Sequence, residues 1–83
     1  MQLFTVDQLR DVMGRCIRDD DYTLDADQLE APFTDLDFDS LAVLEIATRI
    51  QQDHGVPFPD EAVERMKTPR HVLDYVNDHL AMV

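Results

Sequence analysis

Apolar positions along the chain recur in three stretches at the spacing of a single helix face, and two segments between them lose that spacing. In the first stretch Leu9, Val12, Met13, Cys16 and Ile17 repeat at three- and four-residue intervals, the mark of an amphipathic helix laid on a core. Thr5 and Gln8 stand at its start as a capping box, each side chain able to satisfy the other residue's free backbone N–H. Phe4 and Leu9 occupy the two positions of a hydrophobic staple. The helix is expected to end near Asp19. Within this stripe Cys16 reads as a small buried apolar residue rather than a reactive thiol.

The second helix starts at Asp39 or Ser40, both good capping residue types, and runs to His54, where Gly55 can take the left-handed conformation that ends helices. Val43, Ile46, Ala47 and Ile50 form its regular stripe and are assigned to the core. Leu41 and Leu44 fall half outside that stripe, beside Ser40 and Glu45, as a docking patch with an acidic rim. The last helix begins with Thr68 as cap and Pro69 at the first helical position, where its missing N–H costs nothing. Val72, Leu73, Val76 and Leu80 make its buried face. Gly55, Pro57 and Pro59 supply turns before it, with a short helix over Asp60 to Arg65 that needs tertiary contacts to stand.

From Asp19 to Asp39 the periodicity fails. Acids alternate there with isolated apolar residues, Tyr22, Leu24, Leu29, Phe33, Leu36 and Phe38. A connection of this length is not an idle linker in a compact domain, so it is expected to be pinned across the helices, with a short helical turn near Asp25 to Glu30. Asp19, Asp20 and Asp21 read as a solvated run. The expected architecture is all-α, a small bundle of three longer helices plus one short helix, with a long loop between helices one and two. Residues 1–83 form one domain in this reading.

Charge narrows the partners. Eighteen acids stand against seven Lys plus Arg, a formal net charge of −11, which argues against nucleic acid and anionic membrane and for basic protein surfaces. No apolar run approaches the roughly 20 residues of a membrane helix, and no basic-then-apolar leader opens the chain. A monomeric cytoplasmic protein is the expectation. The single Cys16 forms no internal disulfide, and with His54, His71 and His79, read as surface residues, it offers no zinc spacing. Asp35, Asp37 and Asp39 alternate as in a calcium loop. Counting from Asp35, however, puts Ser40 where such a loop needs glycine and Ile46 where it needs a bidentate glutamate. No metal site is expected.

Ser40 is the only serine in the chain, placed where the long loop enters the second helix. Capping is its simplest role. A nucleophile would need a neighbouring base and a Gly-x-Ser-x-Gly elbow, and the sequence has neither. An acceptor serine needs no base of its own, and a phosphate attached at a helix start meets the positive end of the dipole and free N–H groups.

The stretch DFDSLAVLEIATRI resembles the Asp-Ser-Leu motif of acyl carrier proteins. The longer segment from Phe33 to Val76 is similar to the discrete carriers of type II aromatic polyketide synthases, including the turn at Gly55 to Asp60 and the Thr68–Arg70 helix start. The resemblance implies that Ser40 carries 4'-phosphopantetheine donated by coenzyme A, that Asp39 belongs to the recognition motif, and that Leu41, Leu44 and Glu45 face partners. Those partners would be a phosphopantetheinyl transferase, a ketosynthase with its chain-length factor, a malonyl acyltransferase, ketoreductases and cyclases. It also implies a non-catalytic carrier. Asp37 departs from the glycine usual in the family, yet aspartate tolerates left-handed backbone, and Phe38 replaces a common tyrosine. Arg49, Gln51 and Gln52 make this helix less acidic than in fatty-acid carriers. A fatty-acid or aminoacyl carrier, or an acidic interaction domain without a prosthetic group, are the alternatives.

Overall fold

The computed structural model describes residues 3–19 and 21–81. Five α-helices follow one another: α1 (Val6–Ile17), α2 (Ala26–Leu29), α3 (Ser40–His54), α4 (Asp60–Arg65) and α5 (Pro69–Ala81), with a 3₁₀ turn over Phe33–Leu36 between α2 and α3. No strand occurs among the described residues. The all-α bundle of three longer helices is therefore as expected. The long connection contains more structure than the single helical turn anticipated for it.

The three long helices form because their apolar stripes can be buried only against one another. Leu9, Val12 and Met13 of α1, Val43, Ile46, Ala47 and Ile50 of α3, and Val72, Leu73 and Val76 of α5 are all buried. Burying each of the larger ones, Ala47 aside, contributes on the order of 1.5–3 kcal/mol, and this burial offsets the ordering entropy of the helices. The ends are set by local chemistry. Thr5 and Gln8 form the capping box of α1, Thr68 Oγ accepts from the His71 N–H at 3.2 Å, and Gly55 ends α3 with φ 70°.

Four side chains depart from their expected places. Ile17, assigned to the buried stripe, is 40% exposed, because α1 ends there rather than near Asp19. Arg18 takes a left-handed φ of 58°, and the Asp19 N–H turns back onto the Gly14 carbonyl at 2.9 Å, a Schellman closure. Gly14 makes this possible: a Cβ on it would lie 2.8 Å from the Asp19 carbonyl oxygen. Cys16 is half-buried rather than buried, lying at the edge of the face that packs on α3. His54 and His79 are also half-buried. Their rings pack against Phe4 at 5.1 Å and Tyr75 at 5.1 Å, respectively. An imidazole carries enough apolar surface to finish the edge of a small core. His71 is exposed as expected.

Two polar clamps that no periodicity announced close the bundle. The Asn77 side chain accepts from the Phe4 N–H at 2.7 Å and donates to the Phe4 carbonyl at 3.1 Å, tying the segment before α1 to α5. Arg70 reaches Glu30 at 3.0 Å, linking α5 to the end of α2.

The connection from 19 to 39 is pinned, as its scattered apolar residues implied. Asp25 and Gln28 form a second capping box at α2, and Leu29, Phe33 and Phe38 are buried while Tyr22, Leu24 and Leu36 pack partly into the core. The Phe33 N–H donates to the Lys67 carbonyl at 2.8 Å, fastening the 3₁₀ turn to the link between α4 and α5. Asp19 and Asp21 are exposed, consistent with a solvated run. Asp20 lies outside the described residues.

Candidate functional site

The site grows out of the way the loop is delivered to α3. Phe38, 1% exposed, plugs the core between Phe33 and Tyr22, with ring centroids 5.9 and 6.0 Å away. Its N–H is held by the Phe33 carbonyl at 2.9 Å. Asp37 takes the left-handed φ of 65° that the turn demands, so the residue standing in place of glycine keeps the turn at a cost of about 1–2 kcal/mol. With residues 37 and 38 fixed, the chain can enter α3 in only one direction.

Asp39 is the cap of α3, its Oδ1 accepting from the Ala42 N–H at 2.8 Å. Ser40 is thereby relieved of capping and becomes the first residue of the helix, with an exposed side chain. The backbone N–H groups of Ser40 and Leu41 take no partner among the described residues. A free hydroxyl thus stands at the positive end of a 15-residue helix beside two open N–H donors, a setting that favours an attached anion.

Below Ser40 lies a cleft of about 330 Å³, bounded by the 3₁₀ turn, the start of α3 and the link from α4 to α5. Phe33, Phe38, Val43 and Met66 give it an apolar lining, and Thr34, Glu64 and Lys67 add polar groups. Sequence reasoning missed the part played by Val63 and Met66, which also line the cleft, although their i, i+3 spacing across the end of the short helix was a usable signal. Lys67 carried no signal at all.

The other positions singled out in the sequence lie around the hydroxyl. Leu41 is 73% and Leu44 42% exposed. Glu45 is exposed and pairs with Arg49 at 3.3 Å. Asp35 and Asp37 are exposed on the loop side. Ser40, Asp39, Leu41, Leu44 and Glu45 therefore share one acidic surface with an apolar centre. Behind it, burial pushes the Cys16 thiol up, with Glu45 adding to the effect and Arg49 opposing it. The Tyr22 phenol is raised as well, first by burial and then by Asp19 and Asp25. Among the described residues no group of three or more His, Cys, Asp or Glu stands together as a metal site.

The helical bundle thus offers an exposed serine hydroxyl at a helix start, open N–H groups beside it and a cleft below it. The phosphopantetheine attachment-site family matches residues 7–76. The chain is similar to the actinorhodin polyketide synthase acyl carrier protein of Streptomyces coelicolor, 41% identical over 95% of this chain and 93% of that one. It is also similar to the tetracenomycin polyketide synthase acyl carrier protein of Streptomyces glaucescens, 41% identical over 89% of this chain and 87% of that one. Among solved structures, the actinorhodin holo acyl carrier protein from S. coelicolor superimposes with a TM-score of 0.86 at 37% identity, covering 99% of this chain and 96% of that one. The chain belongs to the acyl carrier proteins, non-catalytic subunits that carry 4'-phosphopantetheine covalently. That membership removes the alternative of an interaction domain without a prosthetic group.

Proposed function

We propose that this carrier serves a type II polyketide synthase and that Ser40 is the residue to which its phosphopantetheine arm is joined. The observation that carries the assignment is the isolation of Ser40, the only serine of the chain, exposed at the first position of α3. A phosphopantetheinyl transferase supplies the arm from coenzyme A, forming a phosphodiester at the Ser40 hydroxyl and releasing adenosine 3',5'-bisphosphate. The arm supplies a terminal thiol that holds malonyl units and the growing polyketide as thioesters. The chain's own residues position the modified oxygen. Asp39 caps the helix, Phe38 locks the approach, and the open Ser40 and Leu41 N–H groups would face an anion joined at this hydroxyl.

The polyketide assignment rests on the relatives, which are named as polyketide synthase carriers. The domain reading of residues 1–83 rests on the single core that α1, α3 and α5 share. Leu41 and Leu44, ringed by Asp39 and Glu45, form the surface offered to the transferase, the ketosynthase and chain-length factor, the malonyl acyltransferase, the ketoreductase and the cyclases. An acidic surface speeds association with basic partners and leaves dissociation fast, while tethering keeps the acyl group at high effective concentration once docked. No described helix is long and apolar enough to cross a membrane.

Intact mass after incubation with coenzyme A and a broad-specificity transferase, followed by fragmentation, tests the attachment. The mass gain of the arm on the Ser40 peptide is expected. Charging of that product by a malonyl acyltransferase of a type II polyketide system, in preference to fatty-acid or aminoacyl loading enzymes, tests the branch.

A further inference from the structure

We propose that Lys67 is the counter-ion of the arm on Ser40, its ammonium pairing with the phosphodiester and turning the arm into the cleft beneath α3. The inference rests on Ser40 being the attachment residue. Lys67 is the only lysine of the chain, and it lines the same cleft as Ser40. It makes no ion pair among the described residues, not even with Glu64 on the same cleft, whereas Arg15, Arg49 and Arg70 each hold a carboxylate.

The root of the side chain is fixed on both sides. The Lys67 carbonyl accepts from the Phe33 N–H at 2.8 Å, and the Lys67 N–H donates to His71 Nδ1 at 3.2 Å. A flexible stem on a fixed root keeps its charge near the cleft at little entropic cost. Attachment places a permanent anion one bond from Ser40 Oγ. On the loop side that anion meets the exposed Asp35 and Asp37, which repel it. On the cleft side, where Asp39 and Glu64 also stand, it meets the one cation of the lining, Lys67, which pairs with neither carboxylate. The asymmetry favours an arm lying along Phe33, Phe38 and Met66 rather than over the acidic loop. Lys67 is thus a positioning residue and takes no part in bond making.

The experiment compares wild type, Lys67→Met and Lys67→Arg as modified proteins, with the arm located by mass fragmentation before any spectrum is recorded. Lysine labelled with ¹³C gives one Cε resonance, which should move on arm attachment. Amide signals of Phe33, Phe38 and Met66 should also move on attachment in wild type. In Lys67→Met those amide changes should fall to less than about half, with a displaced ³¹P signal, and Lys67→Arg should restore both, because the pairing is one of charge. Raising salt from about 0.1 M to about 1 M, which shortens the screening length from about 10 to about 3 Å, should bring wild type toward the Met variant. Equal amide changes in wild type and Lys67→Met, or an Arg variant that behaves like Met, overturn the proposal. An arm found on any residue other than Ser40 overturns the attachment assignment as well, and that failure is read from mass rather than from the spectra.

Discussion

The two faces of α3 are built from similar residues and live in opposite surroundings. Val43, Ile46, Ala47 and Ile50 look inward and are buried, whereas Leu41 and Leu44, at least as apolar, look outward beside Ser40 and Glu45. Composition cannot separate them. What separates them is which side of the helix meets α1, and in the proposed reading the outward leucines are a surface for partners rather than a defect in packing.

Several substitutions would test that contrast, beginning with the most complete effect. Ser40→Ala should abolish acquisition of the arm while leaving helical content intact, since Asp39 and not Ser40 caps the helix. Intact mass and circular dichroism check both halves, and an alanine variant that still gains the mass would contradict the assignment. Next, Ile46→Ala should cost about 2–5 kcal/mol in a denaturant titration, the usual range for emptying a buried aliphatic position. Leu41→Ala and Leu44→Ala should cost about 0.5 kcal/mol or less while slowing use by synthase enzymes. A comparable loss of stability on both faces would show that the outer leucines are part of the core.

Gly14→Ala separates the two faces of α1 in the same way. Alanine is the better helix former by about 1 kcal/mol, yet here its methyl would press on the Asp19 carbonyl at 2.8 Å. The net expectation is a loss of about 1–3 kcal/mol, and a gain in melting temperature would refute the close approach. Asp39→Ala removes the bond to the Ala42 N–H and should cost about 0.5–2 kcal/mol. The smallest effect concerns pH. Cys16 and Tyr22 are both raised in the folded protein, so the native state holds their protons more tightly than the unfolded chain does. Their contribution is present below the unfolded pKa values, near 9.0 and 10.0, and is lost as pH climbs through the folded ones. Stability should decline in that alkaline range, and native Cys16 should alkylate more slowly than the unfolded thiol at the same pH. Equal rates would show that the thiol is not desolvated.

Much of the fold was legible in advance, because capping boxes, helix breakers and i, i+3, i+4 stripes are local and each leaves its mark within a few residues. Thr5 with Gln8, Gly55, and Thr68 with Pro69 all do in the structure what their residue types require. The 3₁₀ turn was not legible. Four residues are too few to show a period, and Phe33–Leu36 is held by a hydrogen bond to Lys67 far along the chain. The early end of α1 was hidden for a similar reason, since it depends on Arg18 adopting a conformation that its type does not favour.

The sequence alone determined the three long helices, their core faces and the isolation of Ser40 as the only serine. It could not choose between Asp39 and Ser40 as the cap. The tertiary structure decided that choice, because Phe38, locked in the core, delivers the Asp39 carboxylate to the Ala42 N–H and leaves Ser40 outside. It alone also brought Val63, Met66 and Lys67 to the serine, closing a cleft from segments more than 20 residues apart. Periodicity and capping are properties of neighbours in the chain, whereas a cleft belongs to surfaces that meet only after the core has formed.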